Sequence, residues 1–216
     1  MSRRAYRSQD ITVSFDPGRC IHSAECIHGL PEVFDVEKRP WIQPEESDPD
    51  TVAEVVMRCP TGALQFARKD GGHEEPAPGE NIVSVGEDGP LYVRGDVEIK
   101  DNGGTTFLED TRIALCRCGE SQNKPFCDNS HKSSGFRHDG TVDRRLSSDT
   151  SSPIGGRLDI KLTPNGPLFL KGEFEIRDRA GDPAGRTNQA ALCRCGYSGA
   201  KPFCDGSHSE VGWRDD

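Results

Sequence analysis

Two groups of cysteine and histidine residues carry most of the chemistry that this 216-residue chain could perform. Each group reads C-x-C-x8-C-x3-H, so three thiols and one imidazole come from a single stretch of chain. The first group is Cys116, Cys118, Cys127 and His131, and the second is Cys193, Cys195, Cys204 and His208. Iron–sulfur clusters and zinc are the metal centres that prefer such ligands. The spacing therefore predicts two metal centres, and a zinc occupant would make them structural staples without redox activity.

The two groups belong to an internal duplication with a constant offset of 77 residues. The offset relates every ligand to its counterpart and also relates Gly89-Pro90-Leu91 to Gly166-Pro167-Leu168, with no insertion. A repeat of this extent is a whole structural unit and not a loop alone. Alternating apolar and polar residues over 91–100 and 168–176 predict a strand with one solvated face in each unit.

Other residues of the repeated loop have roles that the sequence leaves open. Asp128 and its counterpart Asp205 can cap a helix that follows, or they can belong to a simple turn. Arg117 and Arg194 stand between paired cysteines, where they can moderate the charge of the site, steer a partner or lie on the surface. His138 has no matching ligand nearby in the sequence.

The composition points to small cores that need additional stabilisation. Hydrophobic residues make up 32% of the chain, with 24 glycines and 15 prolines, and small domains of this kind commonly need a metal or a disulfide. The nine cysteines are an odd number, and the C-x-C pairs are too close together to bridge comfortably. Metal-binding cysteines in a reducing compartment therefore fit better than a secreted disulfide framework.

The charge and hydropathy of the chain exclude several classes of partner. The formal net charge of −9 argues against nucleic acid and anionic membrane surfaces and favours a basic docking partner. No apolar stretch approaches membrane-spanning length, and the basic start of the chain lacks the apolar run of a signal peptide. These features predict a soluble, cytoplasmic protein.

A different cysteine pattern occupies the N-terminal part. Alternation over 11–15 predicts a strand, 31–34 a short helix, and 41–42 and 63–66 two further strands. Asp48-Pro49 marks the start of a helix that runs through Met57. Cys20 and Cys26 lie in the first loop, and Cys59-Pro60 follows the helix.

These residues resemble the divergent single-cluster ferredoxins. Their usual pattern is C-x2-C-x2-C followed by a distant C-P pair, and Cys20, Cys26 and Cys59 match its first, third and fourth positions. Ser23 occupies the second position. Because a cubane iron without a thiolate is easily lost, [3Fe–4S] is the first expectation. The alternative is [4Fe–4S] with His22, Ser23 or water on the odd iron, and ordinary buried thiols or an exposed loop histidine are the simpler interpretations.

The duplicated units resemble the CDGSH (NEET) iron–sulfur family. Residues 204–208 read C-D-G-S-H, and the first copy differs by Asn129 in place of glycine. The resemblance implies one [2Fe–2S] cluster per copy, with Cys116 and Cys118 on one iron and Cys127 and His131 on the other. The counterparts in the second copy are Cys193 and Cys195, and Cys204 and His208. A protonated imidazole dissociates from its metal, so such clusters should be acid-labile.

The resemblances together imply an α+β protein with three clusters. We expect a ferredoxin-like α/β domain over 8–68, a linker over 69–80, a CDGSH unit over 81–139, a linker over 140–153 and a second CDGSH unit over 154–216. Single-motif members of the family form homodimers, so two copies in one chain imply a monomer that contains an intramolecular pseudo-dimer.

The sequence leaves two functions open. In the first, electrons pass between a reductase and an acceptor through the clusters. In the second, the histidine-ligated clusters are donated to apo iron–sulfur proteins, or they act as redox or pH sensors. No nucleophile–base pair or phosphate-binding loop is visible, so the sequence predicts a protein that is not an enzyme.

Overall fold

A computed structural model describes residues 3–142 and 154–215, which form mainly β-structure with a few short helices. The chain divides into two compact units, Met1–Pro76 and Ala77–Asp216. Most of the linker predicted over 140–153 lies outside the described residues. None of the helices in the described ranges has the length and apolarity needed to cross a membrane.

The first unit contains a three-stranded antiparallel sheet. Its strands are β1 (Arg4–Arg7), β2 (Ile11–Phe15) and β3 (Leu64–Arg68), with β2 in the centre. Ile11 and Val13 on β2 are buried, as their alternation predicts. The sequence did not predict β1, because this edge strand is polar and lacks the alternation that reveals β2.

Short helices complete the first unit. Strand β2 leads into a 3₁₀ turn (Pro17–Arg19) and then into α1 (Glu25–Gly29). Another 3₁₀ turn (Pro44–Glu46) precedes α2 (Pro49–Met57). The N–H of Thr51 donates to Asp48 Oδ1 over 2.9 Å, so Asp48 caps α2 as predicted.

The helix predicted over 31–34 is wrong. The chain is helical earlier, over α1, and Phe34 instead forms an isolated β-bridge with Ile42. Pro31 has no N–H with which to extend a helical ladder, which is consistent with a turn after α1.

Two long hairpins form the framework of the second unit. The first joins β5 (Leu91–Lys100) to β6 (Thr106–Leu115), and the second joins β8 (Leu168–Arg177) to β9 (Pro183–Leu192). Both hairpins are antiparallel. Each delivers the end of its second strand directly to the first cysteine of a repeated loop.

Two shorter strands cross between the copies. Strand β4 (Ile82–Val85) is antiparallel to β5 of its own copy and parallel to β8 of the other. Strand β7 (Arg157–Leu162) is antiparallel to β8 and parallel to β5. The pairs Ile82↔Glu175 and Asp159↔Glu98 are equivalent under the 77-residue offset, so the exchange is reciprocal.

One hydrophobic core unites the two copies. Both copies supply its fully buried side chains, among them Val83, Leu91, Ile113, Leu115, Leu158, Leu168, Phe174 and Leu192. Buried Asn81 adds polar contacts, since its Nδ2 donates to the carbonyls of Gly156 and Glu173, each over 2.9 Å. The two repeated loops are therefore held on a single packed body.

Candidate metal centres

Backbone hydrogen bonds fold the first repeated loop back onto the end of β6. The N–H of Cys116 donates to the carbonyl of Pro125 over 2.8 Å, and the N–H of Cys127 donates to Ala114 over 2.9 Å. Cys127 is thereby placed beside Cys116, although eleven positions separate them in the sequence. The second loop repeats these bonds between Cys193 and Pro202 and between Cys204 and Ala191, over 2.8 Å and 2.9 Å.

The predicted ligands of each copy form two close pairs. In the first copy, the Sγ atoms of Cys116 and Cys118 lie 3.7 Å apart, and Cys127 Sγ lies 3.4 Å from His131 Nδ1. The corresponding distances in the second copy are also 3.7 Å and 3.4 Å. Two sulfur atoms bound at about 2.3 Å to one tetrahedral metal lie about 3.8 Å apart. The donor types and spacings therefore fit thiolate-rich metal centres.

A short helical turn presents the histidine of each loop. Asp128 Oδ1 accepts from the N–H of Ser130 over 2.9 Å, and its Oδ2 accepts from the N–H of Gln122 over 2.8 Å. Asn129 occupies the N-cap position with a left-handed backbone (φ 74°), as Gly206 does in the second copy (φ 93°). The N-cap is therefore the residue after the aspartate and not the aspartate itself. Because this N-cap residue has a left-handed backbone, asparagine and glycine are the residues that suit the position.

The environment of the ligands favours their metal-binding forms unequally. A hydrogen bond with Cys118 lowers the pKa of Cys116 to about 6, and one with Cys195 does the same for Cys193. Burial raises the pKa of Cys127 to about 11, so its thiolate needs a cation for stabilisation. Burial, with Lys132 nearby, lowers the pKa of His131, which favours the neutral imidazole that a metal requires.

The two C-x-C segments touch each other through their backbones. A Cβ atom at Gly119 (φ 86°) would collide with the carbonyl oxygen of Cys195. A Cβ atom at Gly196 (φ 87°) would likewise collide with the carbonyl oxygen of Cys118. Glycine is therefore required at each position for two reasons: the left-handed backbone conformation favours it, and there is no space for a Cβ atom. The contact makes the two candidate centres immediate neighbours.

Buried arginines lie between the paired cysteines. Arg117 is 1% exposed and donates from Nε to the carbonyl of Gly89 over 2.9 Å. Arg194 is 2% exposed and donates to the carbonyl of Gly166 over 3.0 Å. Of the roles that the sequence left open, a surface position is excluded for both side chains. Each C-R-C segment is buried along its whole length, cysteines and arginine alike, and the spacing of the residues in the sequence does not indicate this.

The partner of each arginine differs between the copies. Arg194 pairs with Asp215 over 2.5 Å, whereas Arg117 lies 2.8 Å from Nδ1 of His138, the counterpart of Asp215. The backbone of Lys201, in the loop of the second copy, also lies beside the ring of His138. Sequence reasoning missed this role, and the 77-residue offset was the signal that could have revealed it.

The three N-terminal cysteines line one cavity of about 590 Å³. Cys20 directly follows the 3₁₀ turn Pro17–Arg19, Cys26 lies in α1, and Cys59 comes from the chain that follows α2. Most of the remaining wall is apolar, and it includes Tyr6, Phe15 and Trp41. Burial raises the pKa of Cys20, and that of Cys26 to about 11. These neutral thiols would become thiolates on binding a metal, so the donor chemistry fits a cluster.

The residues considered for the missing position also face this cavity. His22 and Ser23 both line it, and both are exposed. His22 adopts a left-handed backbone (φ 56°), and its Nδ1 lies 4.0 Å from Cys20 Sγ. The structure therefore brings Cys20, Cys26 and Cys59 together in one cavity wall. His22 and Ser23 belong to the same wall. Among residues 3–142 and 154–215, no three His, Cys, Asp or Glu side chains surround a single-ion position.

Comparisons with known proteins agree with this division of the chain. Residues 6–69 match the family described as a divergent 4Fe-4S mono-cluster. Residues 88–132 and 165–209 each match the family described as an iron-binding zinc finger of CDGSH type. The N-terminal part is also 39% identical over 66 residues to the uncharacterized protein YjdI of Escherichia coli, in strain K12 and in O157:H7, which covers 31% of this chain and 87% of each relative.

The fold and its sites, taken with these matches, define a multi-cluster iron–sulfur protein. Over residues 6–69 the chain belongs to the divergent 4Fe-4S mono-cluster family, and it carries two CDGSH iron-binding domains after that unit.

Proposed function

We propose that this protein transfers electrons through three iron–sulfur clusters. Two [2Fe–2S] clusters would be held by the two repeated ligand sets, and one [3Fe–4S] or [4Fe–4S] cluster by Cys20, Cys26 and Cys59. The repeated ligand sets are Cys116, Cys118, Cys127 and His131, and Cys193, Cys195, Cys204 and His208. When bound, these groups supply one-electron redox chemistry.

The contact between the two C-x-C segments carries this proposal. Gly119 and Gly196 allow each segment to lie against a cysteine carbonyl of the other copy. Because both segments stand on one hydrophobic core, the two centres are held at a fixed, short separation. Such an arrangement suits electron exchange between centres better than it suits two independent structural metals. The reciprocal β4 and β7 pairings support an intramolecular pseudo-dimer.

The chain's own residues have distinct tasks in this function. The buried Cys116, Cys118 and Cys127 shield the first site from water, and the low dielectric that results is one of the factors that set the reduction potential. A neutral imidazole in place of a fourth thiolate removes one negative charge and so raises the potential. In the N-terminal cavity, His22, Ser23 or water would complete the odd position of a four-iron cluster.

The partners follow from charge. The chain carries a net charge of −9, so a basic redox protein, acting as reductase or acceptor, is the expected partner. We propose a monomeric carrier without an enzymatic activity of its own. We propose neither nucleic acid nor a membrane as a partner.

A redox titration of the anaerobically purified protein tests the proposal. Optical absorbance and electron paramagnetic resonance should show each centre taking up one electron and releasing it again. Iron and sulfide should remain constant through repeated cycles. Irreversible loss of iron on the first reduction would contradict an electron carrier, and a colourless protein that contains zinc would contradict all three cluster assignments.

A second candidate function is cluster donation to apo-proteins, or sensing of pH or oxidants. The partial exposure of His208 favours it, because a solvent-accessible imidazole ligand can be protonated and released. Incubation with an apo-ferredoxin distinguishes the two functions. Rapid transfer of native clusters would support donation, whereas retention of the clusters alongside reversible reduction supports electron transfer.

A further inference from the structure

The second repeated site is more open to solvent than the first. In the first copy, Cys127 is 3% exposed and His131 is 7% exposed. Their counterparts Cys204 and His208 are both partly exposed. Because the ligand geometry of the two copies is the same, this difference arises from the surroundings of the loops.

Two large and exposed apolar side chains flank the more open site in the sequence. Tyr197 is 56% exposed and Val211 is 51% exposed. The N–H of Tyr197 lies 3.5 Å from Cys195 Sγ, and Val211 directly follows α3 (Ser207–Glu210), which contains His208. The counterparts in the first copy are Glu120 and Ser134, which are exposed and polar. Grouped exposed apolar residues that are rimmed by polar ones mark interaction surfaces, whereas single scattered ones are normal.

Carboxylates flank the same apolar residues. Asp205 and Glu210 are both exposed, and Arg214 is the exposed cation nearby in the sequence. Lys201 is partly exposed, and its ammonium group donates to the carbonyl of Ser198. At the positions of Ser209 and Glu210 the first copy instead carries Lys132 and Ser133. The first copy also carries carboxylates, at Glu120 and Asp128, so the second site differs from it by its apolar pair and by the absence of a charge like that of Lys132.

We propose that Tyr197, Asp205, Glu210 and Val211 form the docking surface for a one-electron carrier protein whose own contact patch is apolar with a rim of Lys and Arg. This inference, which rests on the proposed electron transfer, assigns the second site as the port through which electrons leave or enter the pair. One ferrous iron of the reduced site becomes ferric, and one ferric iron of the carrier becomes ferrous. No bond is made or broken in that exchange, and no proton is transferred.

Stopped-flow oxidation of the dithionite-reduced full-length protein by ferric cytochrome c, a basic one-electron haem protein, tests the port. The double variant Tyr197→Ser/Val211→Ser removes both apolar side chains from the docking surface and leaves its charge unchanged. We expect its second-order rate constant to fall about tenfold, as for the loss of a central contact. Glu210→Lys should also lower the rate and weaken its dependence on ionic strength.

Matched changes at the first site provide the control. Glu120→Gln/Ser134→Ala should leave the rate unchanged. Binding is measured in a separate NMR experiment, from the chemical-shift changes of isotope-labelled ferrous cytochrome c. The ferrous form accepts no electron from the protein. The chemical-shift changes of cytochrome c should become smaller with the second-site variants only.

Equal losses at the two sites, or unchanged rates and shifts for the second-site variants, would overturn the docking surface. So would a wild-type protein that cycles reversibly but neither binds nor reduces cytochrome c. The redox titration before mixing isolates the other failure, because a wild-type protein without reversible reduction contradicts the proposed function itself.

Discussion

The two buried arginines show how similar loops acquire different electrostatics. Arg194 is neutralised by Asp215, but Arg117 faces an imidazole. Nδ1 of His138 faces two N–H donors. The guanidinium of Arg117 lies 2.8 Å from it, and the backbone N–H of Gly140 donates to it over 3.0 Å. Two donors directed at one nitrogen require that it carries no proton. Burial and the Arg117 charge accordingly lower the pKa of His138.

This arrangement predicts a pH-dependent stability that His138 controls. The folded protein favours the neutral ring, so the stabilisation is complete above the ordinary histidine pKa of about 6.5 and is lost as the pH falls through the lowered folded value. His138→Asp should place a charged partner on Arg117 and flatten the decline in melting temperature between about pH 7 and about pH 5.5.

The reciprocal change provides the control for His138. Asp215→His should make the decline steeper, because it gives the second copy the arrangement of the first. Asp88, Asp139 and Lys201 also lie in the surroundings of Arg117 or His138, and they are the same in both variants. Identical pH profiles for both variants and the wild type would show that His138 does not titrate with folding.

The ligand histidines make a separate prediction about acid sensitivity. Replacing His131 or His208 by cysteine exchanges an imidazole, which a proton can displace from a metal, for a thiolate. Each variant should retain its visible absorbance at a lower pH than the wild type, by roughly one pH unit or more. Absorbance is followed during stepwise acidification, and an unchanged loss profile would contradict the imidazole assignment.

At the residue scale, spacing alone indicated the repeated ligand sets, because C-x-C-x8-C-x3-H places the donors within one loop. It did not indicate the roles of Arg117 and His138. Their meaning depends on the carbonyls and rings around them, which come from segments distant in sequence, such as Gly86, Gly89 and Lys201.

At the element scale, the contact between the two C-x-C segments should be sensitive to a single methyl group. Gly119→Ala places a Cβ against a fixed backbone carbonyl in a left-handed conformation. We expect a loss of about 3 kcal/mol in the free energy of unfolding, from conformational strain and displaced backbone together. Denaturant unfolding measures the change.

Gly135→Ala is the matched control for Gly119→Ala. Gly135 has a similarly left-handed backbone (φ 74°), but beyond its chain neighbours no described atom lies within 4 Å of the point where an alanine Cβ would stand. Its replacement should cost only about 1 kcal/mol, the conformational penalty alone. Equal costs at the two positions would show that the segments do not press on each other.

The elements themselves were predicted unevenly. Strand β2 and helix α2 follow from local signals, namely the alternation of Ile11 and Val13 and the Asp48 cap. The exchange of β4 and β7 between the copies could not be predicted. Strand order depends on pairings between residues as far apart as Ile82 and Glu175, and periodicity within one segment carries no information about its partner.

At the scale of the whole molecule, the proposed clusters predict the iron content. About seven or eight irons per chain should be found, from two plus two plus three or four. Cys59→Ala should remove three or four of them and leave four with the repeated sites. Because Cys59 lies in the compact unit Met1–Pro76, the optical features of the other two clusters should persist. Loss of all iron from this variant would contradict independent loading.

The reciprocal pairing of β4 and β7 has a consequence for how this chain behaves on dilution. Were the two copies separate polypeptides, each would offer an open sheet edge, and assembly would weaken as the protein became scarce. Covalent fusion makes the partner permanently present at a high effective concentration. It also allows the two halves to differ in sequence. In a homodimer every mutation appears in both subunits, whereas in the fused chain it appears in one copy only. Differences such as His138 opposite Asp215, or Glu120 opposite Tyr197, can arise only in a molecule that has given up exact symmetry.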